Sequence, residues 1–265
     1  MKQKLIHALP DRWFVLLKNW GWQGNFKSWK EAEQKTIGYN DDQILWKVKD
    51  SLLKVKNEEA LYERDSVLFE KIEYSWELLS ALMWIAAQNK GNLNIIDFGG
   101  SLGSTYYQNK QFLDELNSVH WNIVEQPNFV EEGKRSFEND SLQFYYSIDD
   151  CVKESETTVQ GILFSSVLQY LENPFPVIKN TVERKIPYII IDKTGFTLDD
   201  KTRLTIQKVH PNIYDASYPC WFFSESEFLR FFKENGYDLI CDFKNSDTTN
   251  IKAIFKGFIF KYKEQ

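Results

Sequence analysis

The chain has 265 residues, of which 43% are hydrophobic and 16% aromatic, so it can bury the core of one large or two small domains. A formal net charge of −6 and a pI near 5.3 exclude the clustered basic surface that nucleic-acid binding requires. The three cysteines lie far apart without C-x-x-C spacing, which predicts reduced thiols and no bound metal. No stretch reaches the length of a membrane span and no signal-peptide cleavage site is found, so we expect a cytoplasmic protein.

The first 90 residues are predicted to form a helical, tryptophan-rich extension that packs on a core of residues 91–265. Seven of the nine tryptophans lie within residues 11–88, and a helix is expected over residues 12–19. We interpret these tryptophans as core residues. The alternatives are an aromatic wall for a ligand, or a contact with a membrane surface through residues 13–17.

A long helix is predicted over residues 66–89, where apolar side chains recur at intervals of three and four. Asp65 suits its N-cap and Gly91 its end. Immediately before it, Tyr62 and Arg64 lie in a short charged segment. That segment is either a solvated turn or a binding segment in which Arg64 meets a carboxylate of the ligand.

The segment that organises the chain is an apolar run that ends in Asp97 and then breaks into Gly99, Gly100 and Gly103. The run predicts a buried strand, and the glycines allow a sharp turn and a close approach to a ligand. The residues after the loop have helical spacing, so the free amides at the start of a helix face the same ligand. A nucleotide-like ligand is the predicted occupant.

Glycine spacing distinguishes two such ligands. A dinucleotide site requires G-x-G-x-x-G, but Ser101 and Ser104 stand where its second and third glycines belong. The pattern acid-x-Gly-x-Gly-x-Gly is matched by Asp97, Gly99 and Gly103, with Ser101 in the place of the middle glycine. This pattern resembles the first motif of class I methyltransferases that depend on S-adenosylmethionine (SAM). The resemblance implies that Asp97 bonds, directly or through water, near the amino-acid part of SAM, while the loop lies against its methionyl and ribose portions. The alternative is a purely structural turn.

A second predicted strand, residues 120–125, ends in Glu125. Glu125 follows the glycine loop by roughly 20 residues, the distance at which an acid meets ribose hydroxyls. A carboxylate can accept from both hydroxyls, so Glu125 is a candidate cofactor residue. The alternative is a surface carboxylate at the end of a strand.

Two further strands are predicted over residues 142–146 and 161–164. Asp149 follows the first of them, where many class I methyltransferases place a contact to adenine. Ser165 and Gln169 follow the second, whose carboxyl end should lie beside that of the first strand in a doubly wound sheet. All three are candidate ligand contacts.

The fifth predicted strand, residues 187–192, is continuously apolar and ends in Asp192, which should face the same crevice. The following residues, 193–223, show little periodicity and are predicted to form a long irregular loop of the kind that binds ligands. Its candidate acceptor-binding residues are Gln207, Tyr214, Tyr218 and Trp221.

His210, in the same loop, is the predicted general base for methyl transfer to a hydroxyl. An imidazole that titrates near neutral pH suits the removal of a hydroxyl proton. Of the other two histidines, His7 lies near the N-terminus and His120 at the opposite end of its strand from Glu125. The alternative is a loop histidine without a chemical role, in which case Asp192 is the substitute base.

Residues 224–227 form a capping box that opens a helix ending at residues 235–236, and residues 237–243 and 253–262 are the last two strands. Five strands that alternate with helices and are closed by a C-terminal hairpin predict an α/β fold. It is the Rossmann-like, doubly wound sheet of class I methyltransferases, in which the seventh strand enters antiparallel.

With these elements in place, the whole chain resembles a family of class I SAM-dependent methyltransferases found among bacterial surface-polysaccharide genes. The matching segments are residues 38–39, 62–69, 97–104, 124–127, 165–170 and 216–219. The resemblance implies SAM as cofactor, a small-molecule or glycan acceptor, and O-methylation of a sugar hydroxyl in surface-polysaccharide biosynthesis. Two alternatives belong to other classes. One is a methyltransferase-like scaffold protein, and the other is an NAD-dependent sugar oxidoreductase, which the glycine spacing disfavours.

Overall fold

A computed structural model of the chain describes residues 20–38, 41–64, 66–210 and 215–263. The strands in these ranges are β1 (Gly21–Phe26), β2 (Tyr62–Arg64), β3 (Val67–Phe69), β4 (Asn92–Phe98), β5 (Ser118–Val124), β6 (Leu142–Tyr145), β7 (Gly161–Ser165), β8 (Tyr188–Thr197), β9 (Arg203–Lys208), β10 (Ser217–Phe222), β11 (Tyr237–Lys244) and β12 (Ala253–Tyr262). The helices are α1 (Trp29–Glu33), α2 (Asp41–Lys56), α3 (Trp76–Gln88), α4 (Ser104–Leu113), α5 (Pro127–Ser136), α6 (Ile148–Glu154), α7 (Pro174–Glu183) and α8 (Glu225–Glu234).

A seven-stranded sheet forms the centre of the structure, with the order β6-β5-β4-β7-β8-β12-β11. The five strands from β6 to β8 are parallel, and β12 runs antiparallel to both β8 and β11. Numbered along the chain, these strands lie in the order 3-2-1-4-5-7-6, with the seventh antiparallel. The predicted fold, the Rossmann-like doubly wound sheet of class I methyltransferases with a C-terminal hairpin, is confirmed.

The sheet is buried on both faces, which explains why its central strands are so apolar. On one face Trp121 and Phe144 belong to a core that includes α3, and on the other Phe164 and Phe258 belong to a core that includes α8. This packing holds β4, β7 and β8 side by side, so their carboxyl ends meet at one edge.

The helix predicted over residues 66–89 is wrong in its first half, because α3 begins only at Trp76. Residues 62–64 and 67–69 instead form an antiparallel hairpin, in which Tyr62 pairs with Phe69. Ser66 has a left-handed backbone (φ 65°), which a helix cannot contain, and Leu68 of the predicted apolar stripe is 37% exposed. Asp65, the predicted N-cap, lies outside the described residues.

The predicted loop of residues 193–223 is also wrong. β8 continues to Thr197, and the segment then forms β9 and β10. These two strands make a three-stranded antiparallel sheet with β1, in the order β1-β9-β10. The N-terminal extension is therefore not purely helical, and one of its strands shares a sheet with the core. Residues 1–19, with the predicted helix and membrane contact, lie outside the described residues.

The described ranges also show the length and polarity of the helices and the state of the cysteines. None of the helices there is both long and apolar enough to cross a membrane. Cys151, Cys220 and Cys241 are all free thiols, the first two buried and the third exposed.

Candidate active site

A cavity of about 650 Å³ opens at the carboxyl ends of β4, β5 and β7. Its volume falls in the range of small-molecule and cofactor sites. The lining residues come from the glycine loop, the β2–β3 hairpin, α2, the turn after β7, and the β1-β9-β10 sheet. The extension and the central sheet thus enclose one site together.

The glycine loop turns as the motif requires. Gly99 has φ 73°, and Ser101, which takes the place of the middle glycine, adopts the same left-handed region with φ 56°. A Cβ atom at Gly100 would lie 2.6 Å from Cγ of Asp97, so only glycine lets the loop fold back over that carboxyl group. Gly103, by contrast, faces Leu142 in the core and does not line the cavity.

Asp97 is the second-last residue of β4 and lines the cavity although it is only 1% exposed. Its Oδ2 accepts a hydrogen bond of 3.0 Å from Nε1 of Trp121 on the neighbouring strand. The pKa of Asp97 is raised to about 7, and burial is the largest cause of the rise. The Trp121 hydrogen bond acts in the opposite direction, and the charge of Glu125 adds to the rise. A cationic group of a ligand would stabilise the ionised form.

Glu125 directly follows β5, the strand between β4 and β6, and it also lines the cavity. Its Oε2 accepts from the backbone N–H of Gln126 at 2.7 Å. This bond fixes the carboxylate at the start of α5. Asp97 and Glu125, both candidates from the sequence, therefore line the same cavity.

The β2–β3 hairpin covers the start of α4. Tyr62 accepts a hydrogen bond of 3.2 Å from Gln108 of α4, and Arg64 forms an ion pair of 3.5 Å with Glu73. Both residues line the cavity. Between them, Glu63 also lines the cavity. It was missed because its neighbours suggested a solvated turn.

Ser165 and Asp192 form a hydrogen-bonded pair beneath the cavity. Ser165 lines it and donates from Oγ to Oδ2 of Asp192 at 2.9 Å. Nδ2 of Asn245 donates to the other carboxylate oxygen, Oδ1, at 2.8 Å. Asp192 is 1% exposed and does not itself line the cavity, and its burial raises its pKa. Lys193 lines the cavity next to this pair.

The other end of the cavity is aromatic. The ring of Tyr218 lies 5.2 Å from that of Tyr170, edge to face, and the Tyr170 hydroxyl donates to Oε1 of Gln207 at 2.8 Å. Trp22 of β1 and Phe255 of β12 complete this end, with ring centroids 5.4 Å apart. Gln207 and Tyr218 were predicted, whereas Tyr170 and Phe255 were not, because they come from elements whose proximity depends on the tertiary fold.

The predicted base, His210, is not brought to the cavity. Its ring packs on Trp20, with centroids 5.3 Å apart, while its neighbour Val209 is the residue that lines the cavity. The reason is the strand β9, which replaces the expected loop and fixes the direction of the chain that follows.

Three other predicted contacts also lie elsewhere. Asp149 is on α6, where it pairs with Arg184 at the surface instead of lining the cavity. Trp221 does not line the cavity either, since its Nε1 donates to the carbonyl of Leu171 at 3.1 Å. Gln169 is fully buried and donates to the carbonyl of Lys193. Tyr214, the last predicted acceptor residue, lies outside the described residues.

Within the described ranges, no group of three or more His, Cys, Asp or Glu side chains is arranged to hold a metal ion.

No protein-family model matches the sequence, and no curated protein sequence matches it. Similar solved structures include magnesium protoporphyrin IX methyltransferase from Synechocystis PCC 6803 with bound SAM, at 11% identity and a TM-score of 0.46, over 71% of this chain and 79% of that one. Another is 1,6-didemethyltoxoflavin-N1-methyltransferase from Burkholderia thailandensis with bound S-adenosylhomocysteine, at 12% identity and a TM-score of 0.44, over 92% and 94%. A third is a glycopeptide N-methyltransferase complexed with SAM, at 8% identity and a TM-score of 0.48, over 69% and 93%.

Proposed function

We propose that the chain is a SAM-dependent O-methyltransferase that acts in the cytoplasm on a sugar hydroxyl of a surface glycan or of its nucleotide- or lipid-linked precursor. The observation that carries the proposal is the Asp97 glycine loop, which lies with Glu125 at the carboxyl edge of a sheet of order 3-2-1-4-5-7-6. The polysaccharide role rests on the family resemblance alone.

The charge of the cavity fits SAM better than a dinucleotide. Four acids line it against two bases, and these residues are Glu63, Asp97, Glu125, Asp247, Arg64 and Lys193. SAM carries a sulfonium and an ammonium group, which an acidic cavity attracts, whereas the pyrophosphate of NAD would meet like charges. This electrostatic argument favours the methyltransferase over the oxidoreductase independently of the glycine spacing.

Bound SAM would supply a methyl group activated by its sulfonium sulfur. Glu125 would accept hydrogen bonds from the ribose hydroxyls, and Asp97 would hold the amino-acid end. The missing Cβ atoms of Gly99 and Gly100 let the loop pack against Val167 and Asp97, and the ligand would lie against the wall that this packing forms.

The aromatic end of the cavity suits a sugar ring. The faces of Trp22, Tyr170 and Tyr218 offer apolar contact area for ring C–H groups, while Gln207 and Lys193 offer polar contacts for hydroxyls. Ligand sites of this kind combine apolar walls with a few polar groups that fix orientation. The cavity would thus hold cofactor and acceptor at opposite ends.

The Ser165–Asp192 pair is the proposed route for the acceptor proton. With SAM bound, the acceptor oxygen would take the methyl group as its bond to sulfur breaks, which would leave S-adenosylhomocysteine. Oγ of Ser165 would receive the acceptor proton while it releases its own proton to Asp192. A carboxyl group whose pKa is raised by burial is suited to take up a proton at this step. Asp192, the substitute base of the sequence analysis, thereby replaces His210.

We expect SAM and S-adenosylhomocysteine to raise the melting temperature of the protein, and NAD to leave it unchanged. A ligand that binds only the folded state stabilises that state by mass action, by about 2.7 kcal/mol at a hundred times its Kd. Differential scanning fluorimetry measures both shifts. An equal shift with NAD would contradict the proposal, and binding of SAM without turnover on any sugar acceptor would favour the scaffold alternative.

Glu125→Ala should weaken S-adenosylhomocysteine binding by about 1.5–3 kcal/mol, the range for hydrogen bonds to a charged group. Isothermal titration calorimetry measures the change. Glu131→Ala is the matched control, because Glu131 is an exposed carboxylate on α5 that does not line the cavity. An affinity for Glu125→Ala equal to that of the control would reduce Glu125 to a surface carboxylate.

A further inference from the structure

The β2–β3 hairpin carries a buried acid to the wall of the cavity. Glu63 is 3% exposed, and it lines the cavity together with its neighbour Arg64. One carboxylate oxygen accepts from the hydroxyl of Ser104, and the other accepts from the backbone N–H of Ser66 at 3.1 Å. Burying a carboxylate is costly, so its position on a ligand cavity calls for a functional account.

The location of this carboxylate is specific. Ser104 is the first residue of α4 and directly follows the glycine loop. Helix starts attract anions, and in dinucleotide-binding proteins a pyrophosphate takes this position. Here a carboxylate of the protein itself is bonded at the start of the helix, so an incoming phosphate would be repelled and an incoming cation attracted.

The residue beside Glu63 has the opposite charge. Arg64 also lines the cavity, and its ion pair with Glu73 holds the guanidinium at the hairpin, where Glu73 is 63% exposed. An acid and a base on one short strand, next to the glycine loop, match the two charges of an α-amino acid. The methionyl end of SAM carries that pair of charges.

We infer that Glu63 binds the α-ammonium group of the cofactor and is the residue that makes the cavity select an amino-acid nucleoside. The inference rests on the proposed function and goes beyond it, because it assigns the selectivity to the hairpin, which lies outside the seven-stranded sheet. Glu63 thereby acts alongside Asp97, and its bond to Ser104 couples the closed hairpin to the loop that holds the ligand.

The test compares two probes by calorimetry: S-adenosylhomocysteine and its analogue that lacks the α-amino group. The wild-type protein should bind S-adenosylhomocysteine at least about tenfold more tightly than the deaminated analogue, because a charged hydrogen bond is lost. In Glu63→Gln this preference should fall to about threefold or less. The loss should come from weaker S-adenosylhomocysteine binding, while the affinity for the deaminated analogue stays within about threefold of wild type.

Glu73→Gln is the matched control, since it neutralises an acid that contacts the same hairpin without lining the cavity. It should keep the wild-type preference. The melting temperature of each variant shows whether it folds. If Glu63→Gln does not fold, Glu63→Asp replaces it, and its shorter side chain should give an intermediate preference.

The outcomes separate the two proposals. If the wild-type protein binds neither probe, the proposed function fails and this inference fails with it. If the wild-type protein binds both probes equally, or if Glu63→Gln weakens both by the same factor, the proposed function stands and Glu63 merely anchors the hairpin. A Glu63→Asp variant with the full wild-type preference would also overturn the inference.

Discussion

Asp97→Asn should weaken S-adenosylhomocysteine binding about 10–100-fold and, in the unliganded protein at pH 8, raise the melting temperature. The loss of affinity follows from removing a charged partner of the ligand, which is worth about 1.5–3 kcal/mol. The gain in stability follows from removing a buried charge. Asn keeps the acceptor oxygen that Nε1 of Trp121 requires, so the substitution changes charge without breaking that hydrogen bond.

The size of the stability gain follows from the pKa of Asp97. Burial raises the pKa of Asp97 from its ordinary value of 3.8 to about 7, so the folded state binds the proton more tightly than the unfolded state. Below about pH 4, Asp97 therefore makes its full contribution to the stability of the folded state. This contribution is lost as the pH rises from about 4 to about 7. At 1.36 kcal/mol per pH unit the loss approaches about 4 kcal/mol. Recovering about 2–4 kcal/mol would raise the melting temperature by roughly 4–10 °C.

The measurement is differential scanning calorimetry of both proteins at pH 5 and pH 8, with calorimetric titration of S-adenosylhomocysteine at pH 8. The advantage of Asp97→Asn should be about 1.5 kcal/mol at pH 5, where only the unfolded chain has released the proton, and about 4 kcal/mol at pH 8. Glu132→Gln is the control, because Glu132 is 4% exposed but is bonded to Lys49 and Arg135, and none of these three residues lines the cavity. It should lose stability and keep ligand affinity. A pH-independent effect of Asp97→Asn would contradict the buried-charge argument.

The central sheet could be predicted from the sequence because its signals are local. An apolar run that ends in an acid and a glycine turn identifies β4, and a continuous run of isoleucines identifies β8. Asp97, Glu125 and Ser165 reach the cavity for the same reason, since each ends or directly follows a strand of a parallel sheet. Their placement needed only the strand order.

The parts that could not be predicted depend on contacts between distant segments. β1 pairs with β9 across most of the chain, as in the pairing of Gln23 with Ile206, and no local pattern indicates this partner. Once β9 forms, His210 is carried to Trp20 and away from the cavity. Trp22, in contrast, lines the cavity, which fits the alternative of an aromatic wall and not the interpretation of the tryptophans as core residues.

The β2–β3 hairpin shows a second limit of periodicity. Leu68 and Ile72 fit a helical stripe that continues into α3, so spacing alone extends the helix backwards. Residues 67–69 instead pair with residues 62–64 as a strand, after a left-handed backbone at Ser66 that is uncommon for serine. The resulting turn is what places Glu63 at the start of α4.

Asp192→Asn should reduce the rate of methyl transfer about 10²–10⁴-fold, the usual contribution of a general base, while S-adenosylhomocysteine binding stays within about threefold of wild type. The amide cannot take up the proton that Ser165 releases. Its one oxygen can still accept from the Ser165 hydroxyl, at the cost of the hydrogen bond from Asn245. The rate is measured as formation of S-adenosylhomocysteine from SAM with a panel of methyl glycosides as acceptors.

The role of Ser165 gives this prediction its control. Ser165→Ala removes the hydroxyl that links the cavity to Asp192 at 2.9 Å and should lower kcat strongly, whereas Ser165→Thr keeps a hydroxyl and should retain most of it. The pH profile adds a second criterion. Because burial raises the pKa of Asp192, kcat of the wild-type protein should fall as the pH drops through that raised pKa, and the Asp192→Asn profile should lack this limb. The prediction is contradicted if Asp192→Asn keeps a rate within a few-fold of wild type while His210→Ala loses most of its rate. His210 would then be the general base, and it would have to move toward the cavity when the acceptor binds.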